Sequence, residues 1–517
     1  IRVYFFCKST LDMAGGEGAR ICIDAIGAQE PYLLSKKPED GEFFYESKRH
    51  SEFSKYHRST LVKNPGGKAS WPFGETLKVE FRPQDRGDLL SNMWVSITLP
   101  GLIGGKNYTD QIGRHIVKSV TMRIDENILE KYHADWGIIN DELYLEMSEK
   151  VANRFMVNRS LAFDSTELNE NDVVSAYESE ILIPINMFFS RKYATDEYSG
   201  NNPNRPYFPL CGCHKQKIIF EFEFFPQQYF CDADSQVLSL TEFNIITEEI
   251  TVTREERLYL QKVPQTFVTD IVTQHPVTDT VPGDTTLTQQ LVPNIPVKAI
   301  HWFFRDKRFE QENVIKAAGE TDEGKFFCHN RYNFSRADDF DELNTFFVPV
   351  MKDAKFYVKG NRFPNTTTTD HNFFKYLVPF QKKLARPVRN IYTMSFSMNP
   401  LVVEPSGSLD FSTLTGNKTT LECTLESGLT ETYALHMYYT GYVVFKIEDG
   451  KLAIHPQNVQ EVEADPEAPL TEHEALSVLA LAEPSIGIAS ENISFADKIR
   501  RKIPPHLLKR VRRLFSM

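Results

Sequence analysis

The sequence has few cysteines and no regular pattern among them. Seven occur in 517 residues, at positions 7, 22, 211, 213, 231, 328 and 423. An odd, scattered set in so long a chain is not a disulfide framework, and it suits a reducing compartment. Nowhere is there an apolar run of roughly 18 residues of the kind that crosses a bilayer as a helix. Ile1–Phe6 is apolar but far too short for a signal-peptide core. The expectation is a chain neither secreted by the ordinary route nor spanning a membrane. The phosphate-cradling Walker loop, a G-x-G-x-x-G that opens a helix, and the G-x-S-x-G elbow of serine hydrolases are missing as well. Positive charge is short overall: Lys plus Arg is 58 against 70 for Asp plus Glu, a net −12, which argues against a nucleic-acid binder along its whole length.

What is there is aromatic and alternating. Phe 38 and Tyr 21 are high counts, and aromatics favour strands. Period-two patterning is plain in Leu77–Phe81, Met93–Leu99, Ile116–Ile124 and Ile181–Ile185, and plainest where Phe220, Phe222 and Phe224 alternate with Glu221 and Glu223. Ile245–Thr253, Phe267–Gln274, Val297–Arg305 and Thr432–Ile447 read the same way. In Ile391–Ser412, Tyr392, Met394, Phe396 and Met398 share one side. Asn399-Pro400 then breaks the ladder and Pro405–Ser408 turns the chain. Helical spacing is confined to Trp136–Phe155 and a turn or two at Arg254–Gln261. Ser199–Pro209, Pro276–Pro293 and Phe326–Phe347 read as long loops. Periodicity alone thus supports an all-β chain of many strands with a few short helices.

Three clusters invite chemistry. His50 and His57 lie near Glu46 and Glu52, but at no metal-ligand spacing, so a solvated strand edge is the better account. Cys211-Gly212-Cys213-His214 lacks a second ligand pair and reads as a loop with free thiols. His133 and Asp135 sit where they would cap the helix that follows. We therefore expect no catalytic, cofactor-binding or metal-binding residue, and not an enzyme. Six Asn-x-Ser/Thr sites, Asn107, Asn158, Asn333 and Asn417 among them, read as chance matches in such a chain.

The C-terminal part has a different character. His455–Glu474 carries six acids and no Lys or Arg, as in a mobile linker. Within Ala496–Met517, Lys498, Arg500, Arg501, Lys502, Lys509, Arg510, Arg512 and Arg513 face a single acid, Asp497. Leu507, Leu508, Val511, Leu514 and Phe515 cluster on one helical face among these bases. Three accounts stand: a solvated end, a segment lying on an anionic membrane, or a segment docked on another acidic protein.

An ordered series of segments resembles one family. Glu404–Ser412, EPSGSLDFS, resembles the "PSG-x-x-N/D-F-S" signature near the end of the major capsid proteins of nucleocytoplasmic large DNA viruses. Ile26–Leu33 is similar to that family's "G-A-Q-D-x-Y-L" opening. Phe44–Phe53 follows its "Y-R-R-H-T-N-F" segment at Arg49, His50 and Phe53 but has Ser-Glu in place of Thr-Asn. Gly87–Pro100, Asp135–Leu143 (DWGIINDEL), Ile181–Arg191, the charged connector at Arg254–Gln261 and Val297–Arg305 (VKAIHWFFR) follow in the family's order. Thr432–Ile447 matches loosely and lacks the family's Gly-rich ending.

The resemblance implies a double jelly roll, two eight-stranded antiparallel β-sandwiches in one chain. The implied layout is an arm at 1–20, a first roll at 21–253, a connector at 254–262, a second roll at 263–449 and an extension at 450–517. It implies a structural major capsid protein of an icosahedral double-stranded DNA virus, located in the virion and assembled in host cytoplasm or nucleus. Its partners would be two further copies in a homotrimeric capsomer of near-hexagonal outline, neighbouring capsomers, and minor capsid or penton proteins. The eight tail bases would supply an inner-face contact, to membrane or protein, and no specific nucleic acid is expected. Two alternatives compete: a transient scaffold of an immature virion, and a glycoamidase-type enzyme built on paired jelly rolls.

Overall fold

The computed structural model describes residues 53–454, apart from 64–70, 104–107, 110, 158–177, 192–206, 232–235, 241, 294, 311–331, 333, 337–347, 359–360, 364–368, 402–405 and 412–418. The first eight principal strands are β1 (Phe53–Lys63), β2 (Thr76–Phe81), β3 (Leu89–Leu99), β4 (Val117–Ile124), β5 (Asn127–His133), β6 (Ser179–Pro184), β7 (Ile218–Phe224) and β8 (Glu242–Val252). They form two antiparallel four-stranded sheets, in the orders β1-β8-β3-β6 and β2-β7-β4-β5. The next eight are β9 (Gln265–Gln274), β10 (Thr286–Gln290), β11 (Pro296–Asp306), β12 (Met351–Val358), β13 (Asn361–Phe363), β14 (Tyr392–Ser395), β15 (Thr420–Leu425) and β16 (Tyr433–Glu448). Their order is β9-β16-β11-β14 and β10-β15-β12-β13. Counted within each set of eight, both pairs of sheets run 1-8-3-6 and 2-7-4-5. That is the jelly-roll winding, and it occurs twice.

The alternation read from sequence sets the inside of each sandwich. In β7 Ile218, Phe220, Phe222 and Phe224 are buried while Ile219, Glu221 and Glu223 are half-exposed. β2 pairs with it, Leu77 beside Phe222 and Val79 beside Phe220, so large rings pack from neighbouring strands. Fully burying one such side chain contributes roughly 1.5–3 kcal/mol. In the second roll Trp302 of β11 meets Phe356 of β12 edge-on at 5.5 Å across the sandwich.

Four expectations are corrected. Pro276–Pro293 is not all loop: Thr278–Asp279 pairs with β16 and Thr286–Gln290 is the edge strand β10. Thr-Leu-Thr-Gln-Gln offers one apolar side chain, so no hydrophobic alternation marks it. The helix at Trp136–Phe155 is two, α2 (Ala134–Leu143) and α3 (Met147–Val157), after a short α1 (Ile112–Ile116). The ladder in the 391–412 stretch ends at Ser395, and Met398 is 81% exposed rather than facing the core. Within Ser199–Pro209, Phe208 is buried and bridges to Leu90 instead of lying on the surface. Nearly all of Phe326–Phe347 lies outside the described residues.

The two rolls are joined by α4 (Arg254–Lys262), whose first turn is capped by the Thr253 hydroxyl accepting from the Glu256 amide. Arg257 ties the helix to the first roll through Asp88, at 2.7 Å. After β16, Asp449 and Gly450 both take positive φ, 53° and 75°, the pairing a tight two-residue hairpin requires. Lys451–Ile454 then returns along β16. Among the described residues no helix is long and apolar enough to cross a membrane.

Candidate functional site

Strands β3 and β11 hold the same place in the two rolls and have the same length, yet their burial differs. β3 alternates, with Met93, Val95 and Ile97 inside and Asn92, Trp94 and Thr98 half or fully exposed. In β11 the residues from Val297 to Asp306 are all buried. Ile300, Trp302 and Phe304 point into the second roll's own core. The other face, with His301, Phe303 and Arg305, is covered by the first roll. The two rolls therefore share a seam, and the largest apolar cluster runs through it from the first roll to Phe303, Tyr438, Val443 and Phe445.

Helix α2 supplies much of that cover. Trp136 lies 5.8 Å from the His301 ring and 6.3 Å from that of Tyr438. Just past the helix, the Tyr144 hydroxyl is 2.9 Å from His301 Nε2, and His301 Nδ1 is 3.0 Å from Thr393 Oγ1. Two hydroxyls can each give or take a proton, so they satisfy a neutral imidazole. Burial, helped by the Lys298 charge, pushes His301 down to about 3.

Charged groups line the rest of the seam in matched pairs. Asp135 of α2 meets Arg305, and the Tyr438 hydroxyl donates to the same carboxylate at 3.2 Å. Arg305 also lies 3.8 Å from Glu310, which contacts His436. Burial by itself would raise the Asp135 carboxyl, but the Arg305 guanidinium and then His436 hold it below the usual carboxylate range. Glu310 is held low in the same way, against its burial, by His436 and Arg305.

A second chain of charge crosses nearby. Arg191 contacts Glu130 within the first roll and reaches the Asp270 main-chain oxygen of β9 at 2.7 Å. Asp270 also pairs with Lys298 at 3.2 Å. Glu130 accepts from the amides of Phe188 and Val272, one from each roll, at 2.7 and 2.9 Å. A third tie clamps the end of α2: Glu142 holds Arg389 and the Val388 amide, and the Ala385 amide donates to Leu143 at 2.8 Å.

The sequence-derived candidates fall as follows. Asp135 does not cap its helix; it is drawn to Arg305, because a buried guanidinium without a carboxylate would be far costlier than an uncapped turn. His133 stands at the N-cap position without a side-chain cap bond. Burial, with Lys131, takes its imidazole down to about 4. Cys211 and Cys213 are free and buried in a 3-10 turn. Burial pushes both thiols up to about 12, away from the thiolate a metal or nucleophile needs. His57 is exposed on β1, 3.9 Å from Glu248. Among the described residues no group of three His, Cys, Asp or Glu is placed to hold a metal. His50 and all eight tail bases, Lys498 to Arg513, lie outside the described residues.

Apart from Asp135, the seam residues themselves were missed by the sequence reading. Their signal was present in VKAIHWFFRD, where both parities carry apolar or aromatic groups, a mark of a strand buried on two faces. The seam orients two jelly rolls rigidly and leaves its charged groups tied to one another. It is architecture for holding a shape.

Comparisons agree with this geometry. The family model described as "Major capsid protein N-terminus" matches residues 46–199, and "Large eukaryotic DNA virus major capsid protein" matches 255–452. The major capsid protein of Pyramimonas orientalis virus is 26% identical over 174 residues, 34% of this chain and 41% of that relative, so the match spans under half of the relative's length. Among solved structures, the PBCV-1 virus capsid subunit superposes with a TM-score of 0.60 at 18% identity, over 79% of this chain and 97% of that one. The Faustovirus major capsid protein does so with 0.55 at 11% identity, over 86% and 98%. These two likenesses establish the fold as the double jelly roll. The two family models divide between the two rolls and together cover more than half of the sequence, and on that ground the chain belongs to the major capsid protein family of large eukaryotic DNA viruses.

Proposed function

We propose that this chain is the structural subunit of an icosahedral virion shell and works as a trimeric tile. The observation that carries the reading is the doubled winding locked by a buried seam. One chain offers two similar blocks at a fixed angle, and three such chains around an axis present six. A six-sided tile packs edge to edge in a flat lattice. Obligate contacts of this kind commonly bury roughly 2,000–5,000 Å², so apolar burial between copies would drive assembly without a ligand. No catalytic role is assigned. Neighbouring capsomers and minor capsid or penton proteins are the further partners.

On this reading the rolls sit within 21–253 and 263–449, and arm 1–20 and extension 450–517 tie the tile to its surroundings. The bases Lys498, Arg500, Arg501, Lys502, Lys509, Arg510, Arg512 and Arg513 would face inward, toward protein or an inner membrane. Truncation after His455 that leaves particle assembly unchanged would remove that role.

Size-exclusion chromatography with light scattering on the recombinant chain tests the tile. The expected mass is three times the 59.5 kDa of one chain. A monomer at all concentrations overturns the proposal. Finding the chain in purified mature particles separates a shell protein from a transient scaffold.

A further inference from the structure

The contact between the rolls inside one chain has an unmatched counterpart at each end. In the first roll, the connection between its fifth and sixth strands carries α2, and α2 covers the outer face of β11 and β16. The second roll's connection between its own fifth and sixth strands, β13 and β14, also carries a helical segment, Phe373–Leu377 continuing as Val378–Gln381. This one presents apolar side chains outward: Leu377 is 42% exposed and Phe380 81%. They border an open, mostly apolar groove with Phe373 and Tyr376.

The receiving face has its counterpart too. Aligned residue for residue, β3 matches β11 so that Met93, Val95 and Ile97 fall on Ile300, Trp302 and Phe304, all pointing into their cores. Trp94 then falls on His301, which α2 covers. Ile246 lies opposite Trp94 in the ladder, as Tyr438 lies opposite His301. Trp94 and Ile246 are half-exposed, and Leu61 on the neighbouring β1 is 45% exposed. The flank of the donor segment is basic, with Lys382, Lys383 and Arg386 and no acid between Asn372 and Asn390. Exposed Glu178 and Glu180 stand at the edge of the receiving face, on and before β6.

We propose that the 373–381 segment of one copy docks on the outer face of β3 and β8 of the next, with Phe380 and Leu377 against Trp94 and Ile246. The contact repeats between chains the one that α2 makes within a chain. It is head-to-tail, so it must close into a ring or run on as a filament, and six equivalent rolls close it at three chains. The inference rests on the capsomer reading and names the residues of its interface.

Two variants of the full chain test it. In the first, Phe380→Cys with Ile246→Cys is oxidised and run on a non-reducing gel. Linked dimers and trimers and nothing larger are expected, with neither single variant linking. Monomer only, or a ladder beyond three, overturns the inference. The second, Leu377→Asp with Phe380→Asp, changes exposed side chains and should leave the far-UV circular dichroism of the chain unaltered. The concentration for half-assembly should rise about tenfold or more. Unchanged assembly of this variant, with wild type trimeric, overturns the inference and leaves the tile standing. A monomeric wild type brings down the capsomer reading itself.

Discussion

A histidine held between two hydroxyls makes the fold sensitive to acid. His301 is fully buried between Tyr144 and Thr393 and is pushed down to about 3; His133, half-buried, goes to about 4. In the unfolded chain a histidine takes its proton near pH 6.5. Both folded values lie below that. The stability these residues contribute is therefore complete above about pH 6.5 and is lost as pH falls toward the folded values, by about 1.4 kcal/mol per pH unit for each. Urea midpoints measured from about pH 7 down to about pH 5 should fall steadily, and His301→Asn should fall less steeply. At lower pH the carboxyls held down in the seam, Asp135 and Glu310, add the loss expected of groups that must be protonated. The pair Asp135–Arg305 gives a second prediction. Asp135→Ala leaves a buried guanidinium without its carboxylate and should cost about 3–5 kcal/mol. Adding Arg305→Met to it should restore part of that, since the stranded charge is gone. A loss in the double variant equal to the sum of the losses in Asp135→Ala and Arg305→Met, by chemical denaturation, would mean that the pair is not coupled. VKAIHWFFRD marks a strand buried on both faces, but nothing in the sequence names Tyr144, Thr393 or Asp135 as the partners of His301 and Arg305.

Elements were legible in proportion to how strongly one face differs from the other. β7 was legible from its Phe and Glu alternation at Phe220–Phe224, within the strand Ile218–Phe224. β10 could not, because Leu287 is its only apolar side chain and its place is fixed by pairing with β15. β16 was read as a strand, but nothing in its alternation shows that its last part, around Phe445, packs against Phe188 of the first roll at 5.3 Å. Helix α2 was expected from its spacing, while its register against the sheet depends on a glycine. A Cβ at Gly137 would come within 2.3 Å of the Tyr132 hydroxyl and 2.8 Å of Arg114 Nη1. Those two atoms are themselves bonded at 2.6 Å, and Arg114 continues to Asp141. Alanine is the better helix former by about 1 kcal/mol, so propensity alone predicts a gain from Gly137→Ala. The close approach predicts a net loss of stability, since the helix or the Arg114 side chain must move in a fully buried site. A melting temperature above wild type would show that α2 has room the structure does not give it.

At the scale of the whole molecule, the doubled winding could be inferred from the order of motifs, but the dependence of one roll on the other could not. Two sandwiches in one chain are equally compatible with independent domains on a linker. The seam decides against that. The second roll's sheet β9-β16-β11-β14 has a core on one side and, on the other, His301, Phe303, Arg305, Asp270, Lys298 and Tyr438, all nearly inaccessible. Expressed alone from residue 264 onward, this half would expose Phe303, Tyr438 and Phe445 to water together with Arg305, whose carboxylate partner Asp135 is gone with the first half. Large exposed apolar patches of this kind mark association or aggregation. The half-chain should therefore be insoluble or bind a hydrophobic dye strongly, and co-expression with residues up to 263 should return a soluble one-to-one complex. A second half that is soluble, monomeric and cooperatively folded by itself would mean the rolls are separable, and the rigid angle on which the tile depends would then need another source.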